Sequence, residues 1–305
     1  MKLGFLTACL PGMDLPGVAA WAGAQGYQGL EVAAWPAGAG QEGPCHLDVR
    51  NLTSGQAQDV RGVLDGAGLE ISAIAYYDNN LHADRRRREA NHRHLRACVD
   101  AAQLLGCPYV GTFVGRDVGS TVAENLRLGE KELPPLVSYA RERGVTLVVE
   151  NCPMEGWHPD GYPANLAYSP ELWEWMFGLG LDLNFDPSHL VWLGIDPVAA
   201  VWAAEGHIRH VQAKDVQIEP QGRNRFGLFG QMVERPTAWN SGWWRYRVPG
   251  LGQVDWVALV DALYESGFDG FISVEHEDPV WSGTPVKVRQ GLTVAHRTLS
   301  PLLVG

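Results

Sequence analysis

Positive charge is scarce in this chain of 305 residues: 24 lysines and arginines stand against 35 aspartates and glutamates, a formal net charge of -11 with a pI near 5.3. Such a balance gives no broad electrostatic hold on phosphate backbones or anionic lipid, so neither nucleic acid nor a membrane surface is expected as a partner. Cysteine is also sparse. Cys9, Cys45, Cys98, Cys107 and Cys152 are odd in number and form no CxxC pair, which excludes a zinc knuckle or a disulfide frame and reads as reduced thiols in a cytoplasmic protein. No stretch approaches the ~20 uninterrupted apolar residues of a membrane span. The N-terminal MKLGFLTACLPG is cut by Pro11-Gly12 before any small-residue cleavage pattern, so it reads as a first β-strand and not as a signal peptide. There is no GxGxxG after that strand and no GxxxxGK[ST] anywhere, which argues against dinucleotide and P-loop folds.

What the chain does have is alternation. Short β-like runs at Leu3 to Thr7, Gly29 to Ala33, Glu70 to Tyr77, Tyr109 to Phe113, Thr146 to Asn151, Leu181 to Asp186, Ile208 to Asp215 and Phe271 to His276 are separated by helix-like stretches. Helix ends are legible: Asp14 as a cap with Pro16 behind it, Gly26 as a stop, Ser169-Pro170 and Asp196-Pro197 as starts, Pro134-Pro135 as a break. Eight strands alternating with eight helices predict an α/β fold, a (β/α)8 TIM barrel, with residues 1–305 forming one domain. Long irregular stretches at 35–55, 152–168 and 216–252 each follow a strand, so all three are expected over the barrel face where such folds place their chemistry.

Four strands end on residues that can bind a metal or move a proton: TLVVEN closes on Glu150, LDLNFDPSHL on Asp186 and His189, HVQAKD on Gln212 and Lys214, and FISVEHED on Glu275. Alternate residues of a strand share a face. Glu150, Asp186, Gln212 and Glu275 can therefore converge at the barrel mouth, with Asp182, Asn184, His210 and Ser273 filling polar layers beneath. A carboxylate cluster in a poorly solvated mouth is costly unless a cation neutralises it. Three carboxylates and one amide oxygen make a mainly oxygen shell, which suits Mn2+ or Mg2+. Glu150 and Glu275, on different sides of a bound carbon, are then placed to remove a proton beside a carbonyl and return one.

Glu150-Asn151, FDPSH, the pair Lys214-Asp215 and VEHEDP, in that order over nearly the whole chain, resemble the xylose-isomerase-like barrels, often described as sugar phosphate isomerases/epimerases. The resemblance implies one divalent metal on the residues matching Glu150, Asp186, Gln212 and Glu275, a sugar substrate, a cis-enediolate route between epimers or between aldose and ketose, and contact of His189 with substrate hydroxyls. Mn2+ is the expected ion, with Mg2+ and Zn2+ as alternatives. Relatives carry HxH in the seventh strand where this chain has His210-Val211-Gln212, so either Gln212 replaces the imidazole or His210 binds from two residues deeper.

Other candidates have two readings each. Lys214 binds substrate or pairs with a site carboxylate; Glu31 and Tyr76 bind sugar hydroxyls or make structural hydrogen bonds. Arg225 and Arg247, in the aromatic-rich third loop, clamp a polyhydroxylated or anionic ligand or belong to a lid packed on the rim. Arg85 to Arg88 read as a solvated helix face. The expected activity is a metal-dependent sugar isomerase or epimerase. Its rivals are a lyase or dehydratase on a keto-sugar, keto-glycoside or inosose, an apurinic-site endonuclease, and a non-catalytic sugar-binding protein. A homodimer is compatible with the twelve tryptophans, with no interface located.

Overall fold

The computed structural model describes residues 1–37, 43–233 and 239–304; parts of the first and third long loops thus lie outside the described residues. Eight parallel strands close into a barrel in the order β1-β10-β7-β6-β5-β4-β3-β2. They are β1 (Lys2–Leu6), β2 (Gly29–Ala33), β3 (Glu70–Ala75), β4 (Tyr109–Thr112), β5 (Thr146–Glu150), β6 (Asp182–Phe185), β7 (Ile208–Ala213) and β10 (Phe271–Val274). Closure comes from β1 pairing with β10, Lys2 opposite Phe271 through Phe5 opposite Val274. The strands are rich in Val, Ile and Leu, as strands covered on both faces must be.

Around them run the helices α1 (Leu15–Ala24), α2 (Ser54–Gly66), α3 (Arg85–Leu105), α4 (Val122–Glu132), α5 (Pro134–Arg141), α6 (Pro170–Gly178), α7 (Pro187–Leu193), α8 (Pro197–Ala203), α9 (Pro220–Phe226), α10 (Trp256–Glu265) and α11 (Pro285–Leu299). Their starts follow from side chains that satisfy otherwise unpaired N–H groups. Asp14 accepts from Gly17 N, Asp84 from Arg86 N and Arg87 N, and Asp196 from Val198 N. Thr53 with Gln56 and Thr121 with Glu124 form reciprocal capping boxes. The exposed start of α3 pairs Arg85 with Glu89, a solvated face as its composition implies.

The run Ile208 to Asp215 is not one strand. β7 stops at Ala213, and Asp215 opens a separate strand, β8 (Asp215–Ile218), which pairs antiparallel with β9 (Trp244–Arg247). The reason lies in Asp215 itself. Its carboxylate accepts from Val216 N, Val254 N, Gly250 N and Trp256 Nε1 at 2.8 to 3.1 Å, four bonds that turn the chain away from the barrel wall. The third long loop is thus partly built, as a hairpin standing over the barrel mouth.

Candidate active site

Strand parity sets the interior, and two bulges modify it. In β3 the pairing shifts so that Leu30 faces Ile71 but Glu31 faces Ala73. One extra residue on β3 reverses its alternation beyond that point. Ser72 points inward near the barrel floor, and the next mouth-side residue to point inward is Tyr77, not Tyr76. Tyr76 instead packs outside the barrel against α3, its hydroxyl donating to Asp78 and Asn91 at 3.3 and 3.4 Å. A corresponding shift between β6 and β7 sets Asn184 opposite His210.

The interior is built in layers. Lowest, His210 uses both ring nitrogens, Nδ1 with Asn184 Oδ1 at 2.9 Å and Nε2 with Ser72 and Ser273 hydroxyls at 3.1 Å. That leaves it nothing to offer a metal, and burial draws its pKa down to about 3, so it is neutral. Asp182, expected in these layers, lies at the entrance of β6 on the opposite end of the barrel, bonded to His207 Nδ1 and Arg209 Nε, both at 2.8 Å. The strand begins there, so its first inward position opens onto solvent.

The middle layer is Glu31, Tyr77 and Gln212. Tyr77 donates to Glu31 and accepts from Asn184 Nδ2 at 2.7 Å and Gln212 Nε2 at 3.1 Å. Gln212 Nε2 also donates to Glu31 at 3.0 Å. Burial pushes the Glu31 carboxyl up to about 8, the bonds from Tyr77 and Gln212 drawing it back only in part. Glu31 is therefore a hydrogen-bond hub under the mouth.

At the mouth stand Glu150, Asp186, His189, Lys214 and Glu275, with Glu277 and Tyr246 beside them. Asp186 caps α7: its Oδ1 accepts from Ser188 N at 2.8 Å, an arrangement the Asp-Pro order dictates, since Pro187 fills the first helical turn. One turn on, His189 is fixed between Glu150 Oε1, 3.2 Å from its Nε2, and the Tyr246 hydroxyl, 2.8 Å from its Nδ1. Lys214 Nζ lies 2.6 Å from Glu275 Oε2, 3.1 Å from Asp186 Oδ2, 3.2 Å from Glu277 Oε2 and 3.9 Å from Glu150 Oε1. Burial would discharge the ammonium, but Asp186, Glu275, Glu277 and Glu150 outweigh it and hold its pKa well above the ordinary lysine value. Burial opposes ionisation of Asp186 as well, yet Lys214 and His189 keep it well below the usual carboxylate range. Glu275 goes the other way. Burial, then the Glu150, Glu277 and Asp186 charges, push it well above that range against the pull of Lys214.

The donor set fits a divalent cation. One oxygen from each of Glu150, Asp186 and Glu275 lies within 4.8 Å of the other two, and two buried acceptors, Asp186 Oδ2 and Gln212 Oε1, lack a hydrogen-bond partner. Buried acceptors are rarely left so. Asp186 Oδ2 is near Lys214 and His189, but at angles that make no hydrogen bond. A second group, Glu150, Cys152 and His189, is also close enough to share an ion; burial raises the Cys152 thiol to about 12, against the lowering effect of His189, leaving it a poor thiolate donor.

The two arginines do not join this cluster. Arg225 is exposed on α9, a short helix with no buried residue, its guanidinium over the ring of Phe226. Arg247 is committed to a structural pair: Nε donates to Asp278 Oδ2 at 2.9 Å and Nη1 to Gln217 at 2.8 Å. Three mouth residues had escaped sequence reasoning. Glu277 carried a signal, two residues past Glu275 and on the same face; Tyr246 depends on a hairpin, and Tyr77 on a bulge, that leave no mark in periodicity.

The profile described as "Xylose isomerase-like TIM barrel" matches residues 19–296. Among curated proteins, "Uncharacterized protein YfiH" of Bacillus subtilis is 31% identical over 146 residues, 46% of each chain. "Inosose dehydratase" of Lacticaseibacillus casei is 32% identical over 103 residues, 32% of each chain. The match thus spans about half or less of these relatives. Among solved structures, "IOLI protein with a binding zinc atom" superposes with a TM-score of 0.71 at 16% identity over all of both chains. D-psicose 3-epimerase from Clostridium cellulolyticum gives 0.70 at 13% identity, again over all of both chains. At these identities the structural likeness speaks for the fold. No helix among the described residues is long and apolar enough to cross a membrane.

Proposed function

The chain belongs to the xylose isomerase-like TIM-barrel family, and from that premise we propose a divalent-metal-dependent enzyme that removes a proton beside the carbonyl of a keto sugar and returns it as an isomerase or epimerase. The observation that carries this reading is the meeting of Glu150, Asp186 and Glu275 oxygens within 4.8 Å above an unpartnered Gln212 amide oxygen. These four residues would hold the ion. Mn2+ suits the oxygen-rich set best, Mg2+ and Zn2+ being the alternatives. When bound, the cation would polarise the substrate carbonyl and steady the developing enediolate charge.

Each protein group has a part in the transfer. Glu150 takes the proton from the carbon next to the carbonyl. Glu275, on the other side of that carbon, returns one. His189, held at Nδ1 by the Tyr246 hydroxyl, contacts a substrate hydroxyl through Nε2, exchanging its bond to Glu150 for one to the substrate. Lys214 keeps the mouth electrically balanced and is within reach of a substrate oxygen. The substrate is a small sugar; a net charge of -11 recommends neither nucleic acid nor anionic lipid.

A second reading is favoured by the dehydratase among the sequence relatives. Here the same proton abstraction is followed by loss of the β-hydroxyl, which leaves as water once an acid at the mouth has protonated it. Incubation of metal-loaded protein with keto sugars and an inosose in D2O tests both. Deuterium appearing on the carbon beside the carbonyl, with an epimer or isomer formed, supports the first reading; an unsaturated or dehydrated product supports the second. Glu150→Gln and Glu275→Gln should abolish exchange. Full exchange in both variants overturns the assignment.

A further inference from the structure

Glu275 has a second side. With Glu277 it forms one end of a cavity of about 400 Å³ between the connection that follows β1 and the one that leads into α11. Most of the remaining wall is apolar, including Leu10, Met13, Trp239 and Val288, with His276, Ser282 and Thr284 as further polar lining. That volume lies within the ~300–1,000 Å³ of small-molecule sites, which combine apolar walls with a few placed polar groups. Leu10 and Val288 belong to the main core of the barrel, so the walls are anchored to α11 and to the end of β1. A sugar presents hydroxyls on nearly every carbon and would leave them unpaired against such walls, a cost of roughly a kilocalorie or more apiece. An apolar group would not.

We propose that this cavity is a subsite for an apolar substituent, so that the substrate is a keto sugar carrying an aryl or alkyl group, with the sugar at Glu275 and the substituent against Leu10, Met13 and Val288. This rests on the function proposed above for the location of the reacting carbon. The cluster sets the orientation: Glu275 and Glu277, the two carboxylates of the lining, both pair with Lys214, so the sugar belongs at that end.

Binding and turnover separate the two proposals. Calorimetry on the Mn2+-loaded protein with phenyl and methyl β-D-glucosides, which lack the keto group and do not react, reads the subsite alone. The phenyl compound should bind at least tenfold more tightly. Equal affinities, or no binding of either, overturn the subsite whatever the exchange experiment shows. Val288→Asn, which puts an amide on the α11 wall, should lower the phenyl-to-methyl preference at least tenfold, and a thermal melt confirms that the variant folds; an unchanged preference counts against the subsite. Failure of deuterium exchange with every keto sugar, alongside a strong phenyl preference, would instead remove the catalytic reading and leave the subsite standing.

Discussion

Lys214 Nζ stands 2.6 Å from Glu275 Oε2 and 3.1 Å from Asp186 Oδ2, so an ammonium group is seated among the carboxylates proposed to hold a divalent cation. A buried charge stripped of its partner is costly, roughly 3 to 5 kcal/mol. Lys214→Met should therefore lower the melting temperature markedly in EDTA. The same change removes a cation that repels the metal, so Mn2+ should bind the variant more tightly and restore much of the lost stability. Melting curves with EDTA and with Mn2+ read both effects. Equal loss in the two conditions would show that Lys214 and the ion are unrelated.

Beneath the mouth, His210 supplies a pH dependence. Its ordinary pKa of 6.5 falls to about 3 through burial, so between those values the unfolded chain binds a proton that the folded chain refuses. Stability then declines as the pH drops from about 6.5 towards 3, at up to about 1.4 kcal/mol per unit. His210→Gln should flatten that limb of the stability curve, at the expense of some stability near neutrality. Urea titrations of both proteins from pH 7 to pH 4 would test it, and parallel curves would remove His210 as the cause.

The lid hairpin is tied down by Asp278, whose Oδ2 accepts from Arg247 Nε at 2.9 Å and Val248 N at 3.0 Å. Its other oxygen accepts from Val280 N and Trp281 N. Asp278→Ala leaves Arg247 without its carboxylate and should cost about 3 kcal/mol. Because β9 carries Tyr246, loosening it should also expose the hairpin to protease before the barrel unfolds. Timed digestion with trypsin, which can cut after Arg245 and Arg247, should show early cleavage there in the variant and not in the parent.

How far the sequence could be read follows the same physics. Glu150 and Glu275 were legible because each closes a β-branched run, Asp186 because it closes the alternating LDLNFD, and FDPSH encodes a cap, a helix start and a histidine one turn on. Where a strand departs from strict alternation the reading slips. The bulge in β3 exchanges Tyr76 for Tyr77 at the mouth, and Asp215, seen as the end of β7, is spent on four hydrogen bonds that begin a hairpin. Arginines in an irregular loop carry no period at all. Composition leaves Arg225 and Arg247 open between a ligand clamp and a packed rim; Arg225 lies over its neighbour Phe226, and Arg247 is paired with Gln217 and Asp278, distant in sequence.

Tyr246 offers the sharpest test of how the lid serves the chemistry. Its hydroxyl is 2.8 Å from His189 Nδ1 and its ring meets the imidazole edge-on, with centroids 5.3 Å apart. Tyr246→Phe keeps the ring, and so the packing over the mouth, but removes the group that fixes the imidazole's tautomer and angle. Groups that orient a site histidine in this way are typically worth about ten- to a hundredfold in activity. The loss should lower kcat, because a substrate hydroxyl held less firmly by His189 leaves the reacting carbon out of line with Glu150 and Glu275. The melting temperature should move little. A rise in KM with kcat unchanged would instead make the Tyr246 hydroxyl a direct contact to the sugar, and an unaltered rate would detach the hairpin from catalysis altogether.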